Sequence, residues 1–353
     1  MKRYLLLGSR IALGVYVPAV SLKKELEKRG FAAEIICLED FYKGKDEVIE
    51  ETKKSLHEDF RLAKMSYRLP TWNLAAADED ALAGLMNRVR DEGYDAIVTF
   101  SGFWVDFLNE LADTCPFYKD RIYAVHMDAG YSLSWKDKDK GAVREIWLYN
   151  LEENRIDHLP EEPDTASEPE DGRILVHGGG WGIGEYRNKT EQLRRLGYKL
   201  DIIIYYPEEI DDTDDMCDYY LLDPSWQAGR DESEYPRLLK YEDGEWRSFG
   251  DGSGGNPLRL LMKRASAVLS KPGGGTLADS LATATPIIFS EELAAYEAEN
   301  KRLWISKGCG AEYADFAAMD RSAAKKKLCG MRHSILEIQQ GLPQAADVIT
   351  KGC

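Results

Sequence analysis

Short apolar runs alternate with amphipathic stretches along most of the chain. Tyr4–Leu7 is a four-residue buried-strand pattern ended by Gly8, Ser9 and Arg10. A loop holding Gly14 and Pro18 leads to a predicted helix over Ala19–Arg29, with Ala19, Leu22 and Leu26 at helical spacing and Gly30 as its stop. Ala33–Leu38 reads as a second strand, so the chain opens as a βαβ unit. Residues 42–90 are mostly helical in pattern. Tyr94–Thr99 and Ile122–Val125 are further strands, delivering Ser101-Gly102-Phe103-Trp104 and His126-Met127-Asp128-Ala129-Gly130 to their carboxyl ends. Parallel strands with helices on both faces place a binding crevice at those ends.

The pattern then stops and restarts. Glu152–Gly172 is acidic and carries Pro160, Pro163 and Pro169, with almost no apolar residue after Leu159. Such a stretch buries too little surface to fold alone. Arg173–Val176 begins a new strand, followed by the loop His177-Gly178-Gly179-Gly180-Trp181-Gly182-Ile183-Gly184, a helix over Tyr186–Leu196 and a strand over Leu200–Tyr205. Ala267-Val268-Leu269 ends at Ser270-Lys271-Pro272-Gly273-Gly274-Gly275-Thr276 and restarts as a helix, before the strand Ile287–Phe289 and a helix through Tyr296, Asn300 and Trp304. The predicted organisation is an N-terminal Rossmann-like domain over 1–160, a linker over 161–172, a second Rossmann-like domain over 173–330, and a helical tail over 331–353 that packs back on the first domain. The order of elements between Pro224 and Pro257 is not legible.

Composition narrows the function. The 353 residues are 44% hydrophobic and 31% charged, as expected of two ordinary cores. The net charge of -16 argues against nucleic acid, which is bound mainly by clustered Lys and Arg. No apolar run has the length of a membrane span and the N-terminus lacks a signal-peptide pattern, so the expected location is cytoplasmic. The stretch Lys53–Trp72 mixes Lys53, Lys54, Arg61, Lys64 and Arg68 with Phe60, Met65, Tyr67 and Trp72. It reads as an amphipathic helix with a solvated basic face and leaves peripheral membrane contact open. Asp211–Asp218 reads as a solvated acidic loop rather than a cation site. Six scattered cysteines show no metal-ligand spacing and are expected to be reduced.

The two glycine loops carry the candidate chemistry. At the strand-to-helix turn, Gly273, Gly274 and Gly275 let an anion approach the unpaired N–H groups of a helix N-terminus, and Thr276 adds a hydroxyl. Lys271 adds positive charge. Gly179, Gly180, Trp181 and Gly182 would border the same ligand. A dinucleotide fingerprint does not fit there, because Glu185 stands where its third glycine belongs and no acidic residue closes the next strand.

The segment Ser270–Asn300, S-K-P-G-G-G-T-L-A-D-S-L-A-T-A-T-P-I-I-F-S-E-E-L-A-A-Y-E-A-E-N, resembles the donor-binding segment of GT-B glycosyltransferases. The resemblance is to the group containing the lipid-intermediate N-acetylglucosaminyltransferase of peptidoglycan synthesis, the diacylglycerol glycosyltransferases and the glucuronosyltransferase-like enzymes. Gly14-Val15-Tyr16-Val17-Pro18-Ala19 resembles that group's first loop, G-H-x-x-P-A. The likeness implies two Rossmann-like domains facing across a cleft. It also implies an inverting transferase moving a sugar from a nucleotide diphosphate donor, a UDP-sugar by preference, to a hydroxyl or similar nucleophile, with no bound metal and no cofactor beyond that co-substrate. The net charge of -16 disfavours anionic lipid and turns the expected acceptor toward a small molecule. The likeness further implies that Asp279 binds the ribose and that Ser290, Glu291 and Glu292 face the sugar.

Ser9, Arg10, Gly14 and Tyr16 would line the acceptor side. Val15 stands where many of these enzymes carry a catalytic histidine, which leaves His126 or Asp128 as the expected base. His57, His158 and His333 are expected at the surface, and His177 at phosphate, acceptor or a supporting position. A GT-B epimerase or hydrolase, and a non-catalytic nucleotide-sugar-binding partner protein, remain the competing readings. Oligomeric state is not legible.

Overall fold

A computed structural model describes residues 1–42, 46–67, 77–165, 168–210, 215–230 and 234–352. The first half forms a five-stranded parallel sheet of order β2-β1-β3-β4-β5 from β1 (Arg3–Gly8), β2 (Ala32–Cys37), β3 (Ala96–Thr99), β4 (Ile122–His126) and β5 (Arg144–Trp147). Its helices are α1 (Leu13–Lys28), α2 (Asp46–Glu58), α3 (Phe60–Ser66), α4 (Glu79–Glu92) and α5 (Val105–Thr114). Leu5, Leu6 and Leu7 are buried on both faces of the sheet, which explains the unbroken apolar run.

One element departs from the expected boundaries at the cleft. Helix α1 starts at Leu13 rather than Ala19 and carries Pro18 inside it. In the second turn Pro18 gives up the bond its N–H would have made to Gly14 O and crowds that carbonyl with its ring. The gain is that the helix N-terminus reaches the cleft.

A small hairpin, β6 (Tyr149–Asn150) and β7 (Arg155–Ile156), precedes the crossing to the second half. There β8 (Arg173–Val176), β9 (Lys199–Ile204), β10 (Cys217–Leu222), β11 (Leu238–Glu242), β12 (Glu245–Phe249), β13 (Ala267–Ser270), β14 (Ile287–Phe289) and β15 (Gly310–Glu312) form an eight-stranded sheet. Its order is β12-β11-β10-β9-β8-β13-β14-β15, parallel except at the β10-β11-β12 edge. The hairpin β11-β12 falls in the region whose order the sequence reading left open. Asp243 at φ 53° and Gly244 at φ 84° form its two-residue turn, a mirror-image geometry that Asp-Gly pairs favour.

The remaining helices are α6 (Thr190–Arg195), α7 (Pro257–Arg264), α8 (Gly274–Thr283), α9 (Ala295–Ser306), α10 (Tyr313–Ala317), α11 (Arg321–Gln339) and α12 (Ala345–Lys351). Helix α11 runs unbroken through residues 330 and 331, so the expected tail starts inside a helix. After Gly341 (φ 80°) the chain returns to the first half. At the crossing Leu159 N–H donates to Pro343 O and Leu159 O accepts from Ala345 N–H, and Arg29 on α1 pairs with Asp347 at 2.8 Å.

Among the described residues no helix is long and apolar enough to cross a membrane. Of the basic, aromatic stretch, α3 leaves Leu62 and Met65 exposed, while Arg68 and Trp72 lie outside the described residues. Residues 211–214 of the acidic loop, residues 166 and 167 of the linker, and Cys353 also lie outside them. The other five cysteines are free thiols.

Candidate active site

Each parallel sheet reverses its winding at one point, between β1 and β3 in the first and between β8 and β13 in the second. Ligands of open α/β sheets bind outside the strand ends at such switch points. The two switch points face each other here. A cavity of about 450 Å³ lies between them, and Ser9, Phe100 and Ser101 from the first pair of strand ends line it together with His177 and Lys271 from the second.

Most of the residues singled out from the sequence converge there. Ser9, Gly14, Asp128, Gly179, Gly180, Trp181, Lys271, Gly273, Gly274, Gly275, Thr276 and Asp279 line the cavity. Arg10, Tyr16, His126, Gly182, Glu291 and Glu292 are not among its lining residues.

The N-terminus of α8 forms one wall. Its first helical hydrogen bond, from Leu277 N–H to Gly273 O at 3.1 Å, leaves the N–H groups of Gly274, Gly275 and Thr276 ahead of it. The backbone of Gly274 meets the opposite domain. A Cβ on Gly274 would lie 2.6 Å from Asp128 Oδ1 and 2.8 Å from the Met127 carbonyl carbon. Lys271 at the same turn pairs with the fully buried Glu297. Burial is the largest effect and works against the ammonium, but the charge and hydrogen bond of Glu297, with Tyr67 and Asp128 nearby, together raise the Lys271 pKa.

Asp128 faces that wall from the end of β4. Asn300 on α9 donates to its Oδ1 at 2.7 Å, also donates to Pro272 O at 2.9 Å, and accepts from Ala129 N–H at 2.7 Å. Burial pushes the Asp128 carboxyl up to about 6, against the Asn300 hydrogen bond and the nearby Lys271 charge. His126 takes the other side of the sheet from Val125 and Met127, as strand alternation requires. It stacks on Trp147 at 3.9 Å, contacts Trp135 and hydrogen-bonds Glu145 at 3.0 Å. Burial, with Lys140 nearby, pushes its pKa down to about 3.

The other departures have local causes. Arg10 pairs with Asp40, while its backbone N–H and the Ser9 hydroxyl bond the buried Glu39 at 2.8 and 2.5 Å. Tyr16 packs on Trp226, and its hydroxyl accepts from Gly229 N–H at 2.8 Å. Glu291 pairs with Lys189 and Glu292 with Lys301 within their own half, so Leu293, Tyr296 and Glu297 are the residues of that segment that reach the cavity. Asp279 is held by Arg259 at 2.7 Å, and Arg259 also pairs with Glu161 from the crossing segment. Burial raises the Asp279 pKa while Arg259 restrains it.

His57 corrects a surface assignment. It is buried at the interface, with Nδ1 2.9 Å from Gly182 O and Nε2 2.6 Å from Glu209 Oε1. Trp181 Nε1 donates to Ile11 O across the same seam. His158 is half-buried against Trp147 O at 2.8 Å, and His333 is exposed. Sequence reasoning missed Asn300, Glu297 and Glu39. Only Glu39 had a signal, as an acidic residue directly after a strand end. Among the described residues no group of three or more His, Cys, Asp and Glu side chains is arranged to hold a metal.

The sequence matches no protein-family model and no curated protein. Solved structures do resemble the fold. SsfS6, a glycosyltransferase from Streptomyces sp. SF2575, is 13% identical with a TM-score of 0.54 and 99% of each chain covered. Arabidopsis thaliana UGT89C1 is 13% identical with a TM-score of 0.54, again covering 99% of each chain. Acinetobacter baumannii MurG is 11% identical with a TM-score of 0.51, covering 99% of this chain and all of that one, 100%. At such identities the likeness concerns architecture. The chain has the GT-B fold, two Rossmann-like domains facing across a cleft.

Proposed function

We propose that the protein is an inverting glycosyltransferase that moves a sugar from a nucleotide diphosphate, a UDP-sugar by preference, to a hydroxyl of a small-molecule acceptor. The observation that carries this reading is the meeting of Asp128 with the N-terminus of α8 inside one cavity between the two switch points. The N–H groups of Gly275 and Thr276 and the Thr276 hydroxyl then receive the diphosphate, where charge develops as it leaves. Asp279, with Arg259 beside it, serves the ribose. The first-domain wall, with Leu13, Val17, Leu38, Phe100, Phe103 and Leu133, suits an acceptor with an apolar body.

In the reaction the acceptor hydroxyl gives its proton to Asp128 and its oxygen attacks the anomeric carbon. The bond from that carbon to the β-phosphate oxygen breaks, and the diphosphate leaves with the electron pair. Attack opposite the leaving group inverts the anomeric configuration. The Asp128 carboxylate accepts from Asn300 and from the Gly274 backbone N–H, which leaves lone pairs for the acceptor hydroxyl. Asp128 takes this role in preference to His126, whose ring packs among aromatics away from the cavity.

We further assign residues 1–160 to acceptor binding and 173–330 to donor binding. Incubation with a panel of UDP-sugars, with and without acceptor extract, tests the reading. Nucleotide release only with acceptor is the expected result. Release without acceptor means hydrolysis or epimerase-like chemistry, and failure to bind any nucleoside diphosphate removes the donor site altogether.

A further inference from the structure

His177 directly follows β8 at the second-domain switch point, has only 3% of its surface exposed, and is among the residues lining the cavity. Its two nitrogens have different surroundings. Nδ1 lies 3.0 Å from Gly179 N, and a backbone N–H can only donate, so Nδ1 is the acceptor and carries no proton. In the neutral ring the proton is therefore on Nε2. Burial and the nearby Lys271 charge push the pKa of His177 down to about 4, which keeps the ring neutral at physiological pH. Nε2 is buried and has no hydrogen-bond partner among the described residues.

A buried N–H without an acceptor is costly, and the glycine loop holds this one in place by bonding the other ring nitrogen. The missing partner must accept a hydrogen bond. The nearby cation is Lys271, and a Cβ on Gly179 would lie 3.5 Å from its side chain, so a ligand oxygen here is favoured if it carries negative charge.

We propose that His177, as the neutral Nε2–H tautomer, donates a hydrogen bond to the diphosphate of the nucleotide sugar, opposite the N–H groups of α8. This rests on the reading of the cavity as a donor site. His177 is thereby a substrate-binding residue of the loop after β8, and it needs no positive charge of its own.

Isothermal titration with UDP, dTDP, GDP and ADP, each paired with its nucleoside, tests the assignment on the full chain. His177→Asn keeps an acceptor near the Nδ1 position and loses the donor, whereas His177→Gln restores a donor near Nε2. For the diphosphate that the unmodified protein binds, H177N is expected to weaken affinity about 10- to 100-fold, the range for a hydrogen bond to a charged group. H177Q should recover most of that loss, and nucleoside affinity should stay unchanged in both.

Proton–nitrogen NMR gives a second readout, with the His177 Hε2 resonance moving downfield on adding the diphosphate but not the nucleoside. Unchanged diphosphate affinity in H177N overturns the proposal, as does an equal loss of diphosphate and nucleoside, which would mark a structural role. If the unmodified protein binds none of the four diphosphates, the donor-site reading itself fails.

Discussion

The loop after β8 and the turn before α8 both end a parallel strand at a switch point, yet their glycines answer different demands. Gly182 has φ of 63°, a left-handed conformation that disfavours a side chain, and a Cβ there would also lie 2.5 Å from His57 Nδ1. Gly274 needs no unusual backbone angle. It is glycine because Asp128 and the Met127 carbonyl occupy the space a Cβ would fill. The first loop is thus shaped to dock His57 and Trp181 along the seam, and the second to bring helix N–H groups against a carboxylate. On this comparison the proposed base stands at the second contact, while Gly182 of the first ties the domains together beside the proposed His177 contact to the diphosphate.

The largest test removes the proposed base. Asp128→Asn keeps size and polarity, and loss of a general base is expected to lower kcat by about 10²- to 10⁴-fold. In the unmodified protein kcat/KM should rise with pH through about 6, because the base acts only when ionised. The stability effect has the opposite sign. The folded value near 6 lies above the usual 3.8, so this group's contribution to stability is full below the lower value and is lost as pH rises through the higher one. D128N is therefore expected to be no less stable than the unmodified protein at pH 7. It should also bind UDP at least as tightly, because it takes an anion away from the α8 N-terminus. Weaker UDP binding in D128N would show that the carboxylate helps to hold the donor and does not merely face it.

A smaller test compares neighbouring glycines of the turn. Gly274→Ala puts a methyl group against Asp128 and the Met127 backbone, and overpacking of this kind costs about 1–3 kcal/mol. Urea unfolding should show that loss, with reduced turnover because the two walls are forced apart. A Cβ on Gly275 would meet only Gly14 Cα at 3.7 Å, an ordinary contact. Gly275→Ala is expected to be neutral or to stabilise by up to about 1 kcal/mol through reduced chain entropy. Equal effects of the two substitutions would mean that close approach is not what selects glycine at Gly274.

The parts of this arrangement that the sequence made legible are those set by local pattern. Tyr4–Leu7 and Ala267–Leu269 are apolar runs bounded by glycine turns, and buried parallel strands require such runs. The glycine turn itself and Asp128 follow, because both stand just beyond the carboxyl ends of parallel strands, where the crevice of such a sheet opens. Partnerships across the seam are a different matter. His57 reaches Gly182 and Asn300 reaches Asp128 from far away in sequence, and His57 and Asn300 look like surface polar residues of their own helices. The start of α1 was hidden by Pro18, which usually marks a helix beginning rather than a second turn. The Asp243-Gly244 hairpin was masked by the charged residues around it, although the dipeptide is a strong turn signal.

The smallest expected effect concerns the sugar-facing stretch. By resemblance Glu291 and Glu292 meet the donor sugar, but their side chains are 41% and 40% exposed and pair with Lys189 and Lys301. Hydrogen bonding and charge from these lysines hold both carboxyls below their usual range, against burial. A half-exposed ion pair of this kind contributes about 0–1 kcal/mol after screening, so Glu291→Gln should leave unfolding nearly unchanged. It should also leave KM for the nucleotide sugar within about twofold, since the residue does not line the cavity. Tyr296→Phe is the contrast, because Tyr296 lines the cavity and its hydroxyl lies 3.5 Å from that of Tyr67 on the opposite domain. A larger KM change in E291Q than in Y296F would return the sugar contact to Glu291. It would also mean that the Lys189 pair opens when donor binds, so that the wall beyond α8 rearranges around the sugar while the α8 turn stays in place.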